Sequence, residues 1–347
     1  MRLTLLICGL LITTTLFAAN PISPMFHSPN ADMIYPDVAG DYLVYSQRVH
    51  QRYQVMRLSK HDIAGAAKDI SATSGQTVIR FGVALENGDI AYISNRLGYL
   101  TPWLSLTSSQ QTLAPAIFHN GMLPNHLQAT ADGQTWVFDN TFENTRRARI
   151  NSQQVDGSLH HQLLGQAWRM YHEKYWAFRN GYPESTIGVT SKFQAPRLFT
   201  FSKDKPALRM LGDGFDADIS HDGKKIVFVR ENNGNFDLWL QNSDGSGLKR
   251  LTRNPYADLE PTFNADATKI AFVSNRDSLG DIQQTFIYTL DLNTGTQHVI
   301  TSGLGVIDGG PAWLNDETLI FHSNRNPQLP QADPVQHWSL WTVKIAD

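Results

Sequence analysis

The feature that most constrains the fold of this chain is a short strand pattern that recurs along its length. The segment "FNADATKIAFVSNR" at 263–276 aligns without gaps to "VALENGDIAYISNR" at 83–96. The segment "TLIFHSNR" at 318–325 repeats the end of both. Self-similarity of this kind indicates a repeat architecture, in which each unit must stack on its neighbours to bury its apolar faces.

Seven such units, each of roughly 40 to 50 residues, can be counted, a length typical of propeller blades. Each has a short first strand that ends in an Asp/Gly or Asn/Gly turn, and a second strand rich in β-branched and aromatic residues. An alternating third strand and a short fourth strand ending near Leu/Ile-Thr follow. The weakest copy is the fourth, "MYHEKYWAFRNG" at 170–181. The units begin near Tyr35, Arg80, His126, Trp168, Asp216, Glu260 and Gly310.

Four-stranded units at this period predict an all-β fold, a β-propeller. We expect seven four-stranded blades, with six as the alternative. The last unit ends at Asp347, directly after its third strand. We therefore expect the N-terminal segment near Ile22 to Ser28 to supply the missing strand and close the ring, which would remove an open sheet edge.

The chain divides into three parts by composition. Residues 1–19 place Arg2 before an apolar run that ends in Ala18 and Ala19, which is the layout of a secretory signal peptide. Residues 20–34 form the N-terminal segment with the closing strand, and 35–347 form the propeller. Cys8 is the only cysteine, so an exported mature chain would have no disulfide. No later segment has 18 consecutive apolar residues, so we expect no membrane span after cleavage.

Several function classes find little support in the sequence. The formal net charge of -3 gives no sign of nucleic-acid binding. The chain has no G-x-S-x-G pentapeptide, the nucleophile elbow of serine hydrolases. Of 12 histidines only His160 and His161 are adjacent, and neighbours on a strand point to opposite faces. We expect a monomer with no catalytic residue and no metal ligand, and leave an enzyme open.

One acidic stretch could hold calcium. Asp213, Asp216, Asp218 and Asp222 carry the hard oxygen ligands that Ca²⁺ prefers. Their spacing differs from that of an EF-hand loop, and Asp and Gly also make the turns that bound a strand. We therefore expect no cofactor, with a calcium ion as the open alternative.

The residues just before the innermost strands should line the mouth of the axial channel. This set is polar and mixed in charge, which suits recognition of a peptide or a partner's loop. The simpler interpretation is that these positions are polar because the channel is wet. The predicted binding residues are Arg80, His126, Arg169, Asp216, Glu260 and Asp308, with Tyr35 at the equivalent place in the first unit.

Three segments carry a resemblance to a known family. "EPTFNADATKIAFVSNRD", "GGPAWLNDETLIFHSNR" and "DGSGLKRLT" resemble the propeller repeats of the TolB-like family, most clearly over 216–325. TolB is the periplasmic component of the Tol-Pal envelope system, and its partners dock on the channel face of the propeller. TolB has an α/β domain before six blades, whereas few residues precede the first unit here. The same repeat occurs in prolyl-oligopeptidase-type peptidases and oligogalacturonate lyases.

The resemblance and the predicted export together imply a function. We expect a periplasmic, non-catalytic module of the bacterial cell envelope that binds an envelope protein or peptide. The alternative is a carbohydrate-binding or polysaccharide-lyase-type propeller that uses the central channel.

Overall fold

The computed structural model describes most of the chain between residues 20 and 345. The described ranges are 20–49, 52–63, 65–71, 79–94, 101–107, 112–113, 124–140, 197–202, 205–281, 283–330, 334–335 and 337–345. The predicted signal peptide at 1–19, the weak unit at 170–181 and Arg169 lie outside these residues.

The described strands form six four-stranded sheets, each paired antiparallel throughout. We number them as blades in chain order. Blades 1 to 3 follow the chain from the N-terminal side. Blade 1 contains β2 (Ala31–Ala39), β3 (Tyr42–Val49), β4 (Arg52–Ser59) and β5 (Lys68–Asp69). Blade 2 contains β6 (Ile79–Ala84), β7 (Ile90–Ser94), β8 (Thr101–Ser105) and β9 (Thr112–Leu113). Blade 3 contains β10 (Pro124–Ala129), β11 (Thr135–Asn140), β12 (Arg197–Ser202) and β13 (Lys205–Asp213).

Blades 4 to 6 complete the set. Blade 4 contains β14 (Phe215–Ile219), β15 (Lys225–Asn232), β16 (Asn235–Asn242) and β17 (Lys249–Arg250). Blade 5 contains β18 (Asp258–Phe263), β19 (Lys269–Ser274), β20 (Phe286–Asp291) and β21 (Gln297–Val299). Blade 6 contains β22 (Asp308–Asn315), β23 (Thr318–Ser323), β24 (Ser339–Lys344) and β1 (Ile22–Phe26).

The prediction of seven blades is wrong, and the described residues form six. The segment "RLFTFS", expected as the third strand of a separate fourth unit, is β12 and pairs with β11 of the third unit, with Val137 opposite Thr200. Blade 3 therefore takes its inner strands from one side of residues 141–196 and its outer strands from the other. A pairing between distant segments costs little more than one between near segments, because loop-closure entropy grows slowly with length.

The blades follow one another around an axis. Each inner strand contacts the next blade, and β2 of blade 1 also contacts β22 and β23 of blade 6. The second strands lie between two neighbouring sheets, so β7 and β23 are buried along almost their whole length. Their β-branched and aromatic side chains fill the spaces between the blades. Blades 1 and 4 consequently face each other across the axis.

The outer strand of blade 6 comes from the start of the described chain. Strand β1 pairs antiparallel with β24, with Ile22 opposite Val343 and Phe26 opposite Leu340. The register shifts between Pro24 and Phe26. Strand β2 then begins at Ala31, a few residues before the predicted start of the first unit at Tyr35.

Helical structure is almost absent from the described part of the chain. It consists of a single 3-10 turn at Arg276–Ser278. None of the helical segments found there has the length and hydrophobicity needed to cross a membrane.

Candidate functional site in the axial channel

Every inner strand is interrupted by a bulge, which falls at the same place in five of the six blades. The register against the second strand shifts between Ile34 and Asp37 in blade 1, and blades 2, 4, 5 and 6 carry an equivalent shift. In blade 3 the shift falls between Pro124 and His126.

In four blades the first bulge residue has a left-handed backbone, with φ of 52° at Tyr35, 54° at Asp216, 49° at Glu260 and 53° at Gly310. Such a conformation costs a non-glycine residue about 1–2 kcal/mol, so it must be compensated by surrounding contacts. A bulge also re-aims the side chain it carries.

Residues from four successive blades form a chain of contacts around the axis, three of them at the bulge and His126 directly after the shift in blade 3. His126 Nε2 lies 3.9 Å from Asp216 Oδ1. Asp216 Oδ2 accepts a hydrogen bond from the Glu260 backbone N–H at 3.0 Å. Glu260 Oε2 accepts one from the Gly310 N–H at 2.6 Å. We call these four residues and Tyr35, which holds the same position in blade 1, the axial ring.

A second pair of carboxylates lies just below the axial ring. Asp37 Oδ2 accepts a hydrogen bond from the Ala84 N–H in blade 2 at 2.7 Å. Asp218 Oδ2 accepts one from the Phe263 N–H in blade 5 at 2.7 Å. Both residues occupy the position directly after the bulge, on blades 1 and 4. These carboxylates therefore fasten neighbouring blades together at the axis.

Burial shifts the pKa of the axial acids upward. It raises the pKa of Glu260 to about 8, and the charge of Asp216 adds to the rise. It raises the pKa of Asp218 to about 7, with a further contribution from Asp37. The pKa of Asp37 itself is raised by burial to about 6. The channel thus holds several carboxyl groups that titrate near neutral pH, which is a common property of functional sites.

The attraction between His126 and Asp216 does not overcome the cost of burying them. Burial lowers the pKa of His126, although the nearby carboxylate acts in the opposite direction. Burial likewise raises the pKa of Asp216 against the effect of His126. Both shifts favour the neutral forms of the two groups, since desolvation penalises charge.

The structure brings together only part of the predicted binding set. His126, Asp216 and Glu260 belong to the axial ring. Arg80 lies in β6 one position before the bulge, with its backbone opposite Ile93, and its side chain is not described. Arg169 lies outside the described residues.

Asp308 is placed elsewhere, two residues before the axial ring position that Gly310 occupies. Its side chain is fully buried and forms two hydrogen bonds with Arg325, at 2.9 Å from Nε and 2.5 Å from Nη2. Thr301 Oγ1 donates a third at 2.6 Å. Because these partners occupy its carboxylate, we leave Asp308 out of the binding surface proposed below.

The same contact explains the repeated Ser-Asn-Arg motif. In blade 5, Arg276 Nη2 binds Asp258 Oδ1 at 2.7 Å, as Arg325 binds Asp308 in blade 6. The preceding asparagine accepts a backbone N–H in both blades, at 3.0 Å for Asn275 and 2.8 Å for Asn324. The motif therefore ties the end of the second strand to the start of the first strand of the same blade.

His322, in the second strand β23, is a residue that the sequence analysis did not single out. Gly310 offers no side chain to the axial ring, and the His322 ring lies beside it. A Cβ on Gly309 would lie 2.6 Å from His322 Nε2, and one on Gly310 would lie 2.7 Å from Nδ1. The pair of glycines before Pro311 was the available signal, since it makes room for a ring.

The four aspartates considered for calcium do not converge. Asp216 and Asp218 lie at the axis, Asp213 is exposed beside Arg197, and Asp222 lies in the β14–β15 turn, where it accepts a hydrogen bond from Ser220 at 2.8 Å. Within the described ranges, no three His, Cys, Asp or Glu side chains are grouped so that they could hold a metal ion. Calcium binding stays an untested prediction.

Comparison with known proteins gives partial sequence matches. No protein-family model matches the chain. A Tol-Pal system protein TolB of Anaeromyxobacter dehalogenans is 35% identical over 71 residues, which is 20% of this chain and 16% of that relative. A TolB homolog of Chlorobium luteolum is 34% identical over 89 residues, 26% of this chain and 19% of that relative. The chain thus spans less than a fifth of the length of these curated relatives.

The comparison of structures covers most of the chain at low identity. TolB from Acinetobacter baumannii superposes with a TM-score of 0.52 and 14% identity over 88% of this chain and 64% of that chain. An oligogalacturonate lyase in complex with manganese gives 0.51 and 12% identity over 94% of both chains. Likeness at this level of identity establishes the fold and leaves the activity to be argued from the site.

Proposed function

We propose that this TolB-like β-propeller is an exported, non-catalytic module of the bacterial cell envelope that binds a protein or peptide at its axial mouth. The partial match to a Tol-Pal system protein supports an envelope role. The signal-peptide pattern at 1–19 supports export to the periplasm. The chain would act there as a monomer without a cofactor.

The observation that carries this proposal is the acidic character of the axial channel. Its described side chains include four carboxyl groups and His126. A rigid scaffold with convergent titratable groups at a central opening is a common form of binding site. The carboxyl groups occupy two positions of the inner strands, one in the axial ring and one directly after the bulge, and their charge favours a partner segment rich in Lys or Arg. Arg80 and Arg169, the cationic members of the ring expected from the sequence, are not among these described side chains.

The raised pKa values give this binding a pH dependence. A cationic side chain that enters the channel stabilises the ionised carboxylates and lowers their pKa. Binding then releases protons, so affinity should rise between about pH 5 and pH 8, the range in which Asp37, Asp218 and Glu260 ionise.

A labelled peptide tests the proposed site directly. A short Lys/Arg-rich peptide and its Glu/Asp-rich counterpart are titrated against the protein by fluorescence anisotropy at several pH values. We expect the basic peptide alone to bind, and Glu260→Gln to weaken it about three- to tenfold by removing a charge while retaining an acceptor for the Gly310 N–H. Asp222→Asn, which removes the same charge from an exposed turn, should leave binding unchanged. Equal binding of both peptides, or no effect of Glu260→Gln, refutes the acidic docking site.

Photo-crosslinking in intact cells identifies the partner. Crosslinking residues are placed at His126, Glu260 and Tyr35, and at Asn293 in an exposed outer turn as the control. One envelope protein captured from the three axial positions and not from Asn293 supports the proposal. The absence of any adduct from a folded, exported protein refutes it.

We also propose that β1 closes the ring. It is the fourth strand of blade 6 and pairs with β24, with Ile22 opposite Val343. A sheet without this strand would expose the unpaired edge of β24, which is a template for association with other chains.

A second candidate function is a carbohydrate-binding or lyase-type propeller. The fold likeness to an oligogalacturonate lyase over 94% of both chains favours it. Incubation of the protein with oligogalacturonate and manganese, with ultraviolet detection of unsaturated products, distinguishes this candidate from a binding module.

A further inference from the structure

A pocket lies at the seam where blade 6 meets blade 1, beside the axial ring. Its volume is about 170 Å³, well below the several hundred Å³ of pockets for drug-sized ligands. Tyr35 belongs both to this pocket and to the axial ring. The seam pocket is lined by the rings of Tyr35, Tyr53, His322 and Trp338 and by the ion pair of Asp32 with Arg48.

Contacts between the two blades hold the walls of the seam pocket in place. The backbone N–H of Trp338 donates to Asp32 Oδ1 at 3.1 Å, and its carbonyl accepts from the Met33 N–H at 2.9 Å. Arg48 donates to the other carboxylate oxygen of Asp32 from both Nε and Nη2. A site built from such fixed groups is largely preformed.

The aromatic walls meet at steep angles. The ring of His322 lies edge-on to Tyr35, with centroids 5.0 Å apart and planes at 69°. It lies in the same way against Trp338, at 5.2 Å and 69°. Edge-to-face packing keeps these rings from stacking flat on one another and closing the space.

His322 contributes a neutral ring to the wall of the seam pocket. Its Nδ1 accepts the Tyr35 backbone N–H at 3.3 Å, so the ring proton is assigned to Nε2. Burial lowers the pKa of His322 to about 3, which keeps the ring uncharged at neutral pH. His322 is only 2% exposed, and its Nε2 lies against Gly309, where a Cβ would be 2.6 Å from Nε2 and 3.2 Å from Glu260 Oε2. The ring therefore adds an uncharged wall to the seam pocket.

The charges of the seam pocket cancel. The carboxylate of Asp32 is paired with Arg48 and also lies 3.4 Å from His337 Nδ1, so a second cation finds no unpaired carboxylate there. What remains are aromatic faces and hydrogen-bonding edges within a small volume. A pyranose ring matches this combination, because its C–H face is apolar and its hydroxyl groups both donate and accept.

We infer that the seam pocket binds a single neutral sugar ring of a glycan. The inference does not depend on the proposed peptide docking, since it concerns the seam of blades 6 and 1 and not the carboxylates of the axial ring. A glycan held there would place its next residue over the channel mouth through Tyr35.

Saturation-transfer difference NMR tests this inference with defined probes. The methyl pyranosides of glucose, galactose, mannose and N-acetylglucosamine are each added to the full-length mature protein. We expect at least one to bind with a dissociation constant in the millimolar range, as suits one small ring. Trp338→Ala should weaken it about tenfold or more by removing an aromatic wall, and Trp338→Phe should restore most of the binding.

Matched controls separate local from general effects. Tyr256→Ala removes a half-buried aromatic ring from another part of the surface and should leave sugar binding unchanged. N-acetyl-tyrosine amide is tested in parallel as a peptide side-chain probe. The inference is overturned if no pyranoside binds, if Trp338→Ala has no effect, or if the tyrosine probe binds the pocket and the sugars do not. None of these results affects the titration of the basic peptide, so the two proposals fail independently.

Discussion

Replacing Asp218 by Asn tests the proposed electrostatics of the axial channel. Asp218 accepts hydrogen bonds from the Phe263 N–H at 2.7 Å and from Thr262 Oγ1 at 3.2 Å, so it fastens blade 4 to blade 5. The amide oxygen of Asn can accept the same N–H without carrying a charge. The substitution therefore removes the ionisation of the group and retains its main contact.

The expected effect follows from the shifted pKa of Asp218. A folded-state pKa of about 7, against about 3.9 for an unfolded chain, means that the folded protein holds a proton that the unfolded chain releases. The free energy of unfolding of the wild type therefore falls as the pH rises from about 4 to about 7, and it levels off above that. Three pKa units at about 1.4 kcal/mol each give a ceiling of about 4 kcal/mol. Because the side chain is partly accessible to solvent, we expect about 1–2 kcal/mol.

Thermal and urea unfolding at pH 4.5 to 8.5 measure this effect. Asp218→Asn should be no more stable than the wild type near pH 4.5 and should become more stable than it at pH 8. The control is Asp222→Asn, since the pKa of Asp222 is lowered to about 2 by its hydrogen bond from Ser220. Asp222 is ionised in both states throughout this range, so its substitution should shift the curve without changing its slope. A pH profile of Asp218→Asn parallel to that of the wild type would refute the raised pKa.

Two further substitutions and one deletion test the Asp–Arg ion pair of blade 6, the axial ring and the closing strand. Arg325→Met leaves Asp308 buried without its cation and should lower the free energy of unfolding in urea by about 3–5 kcal/mol. A double variant that also carries Asp308→Leu should recover most of that stability. An equal loss in the single and the double variant would contradict the prediction. Gly310→Ala places a Cβ 2.7 Å from His322 Nδ1 at a φ of 53°, so its melting temperature should drop by several degrees, whereas an unchanged value would show that the ring can move aside. Deletion of residues 20–29 removes β1 and should lower the melting temperature. The exposed edge of β24 should also cause concentration-dependent association, measured by size-exclusion chromatography with light scattering. A stable monomer would contradict ring closure by β1.

Strand patterns and turn chemistry predicted most of the blades, because both are local properties of the sequence. The Ser-Asn-Arg ends at 274–276 and 323–325 mark second strands in the structure as expected. The number of blades could not be read in the same way. Strand β12 alternates like a third strand, and nothing local shows that it pairs across residues 141–196 with β11. Strand pairing depends on two segments at once. The weakly similar unit at 170–181 lies between β11 and β12, and counting it as a blade gave seven blades instead of six.

The channel site was predicted in part for a related reason. Most of its members lie at bulges, which are irregularities between two strands and leave no fixed sequence pattern. A usable signal existed in three blades, where Pro36, Pro261 and Pro311 follow the axial ring position. Proline has no N–H to pair, so inside a strand it favours a bulge. Asp308 was grouped with the ring because it precedes the inner strand, but its burial against Arg325 depends on a residue in another strand.

The repeat separates what holds the fold from what can vary on it. The ion pair of the motif's Arg with an Asp at the start of the first strand recurs almost unchanged in blades 5 and 6, because each blade needs the ends of its first and second strands fixed. The axial ring position instead carries Tyr, Asp, Glu and Gly in blades 1, 4, 5 and 6, at the same bulge and with a left-handed backbone, and His126 takes this place in blade 3. The left-handed conformation, which costs free energy in the three non-glycine residues, persists while the side chain changes. The backbone geometry therefore serves the fold, and the side chains are left to determine what enters the channel. In blade 6 the change to Gly310 comes with His322 in the adjacent strand, which makes the seam pocket a consequence of variation at the ring. The peptide and sugar sites proposed here are therefore both expected at the one place in the repeat where the scaffold does not dictate the residue.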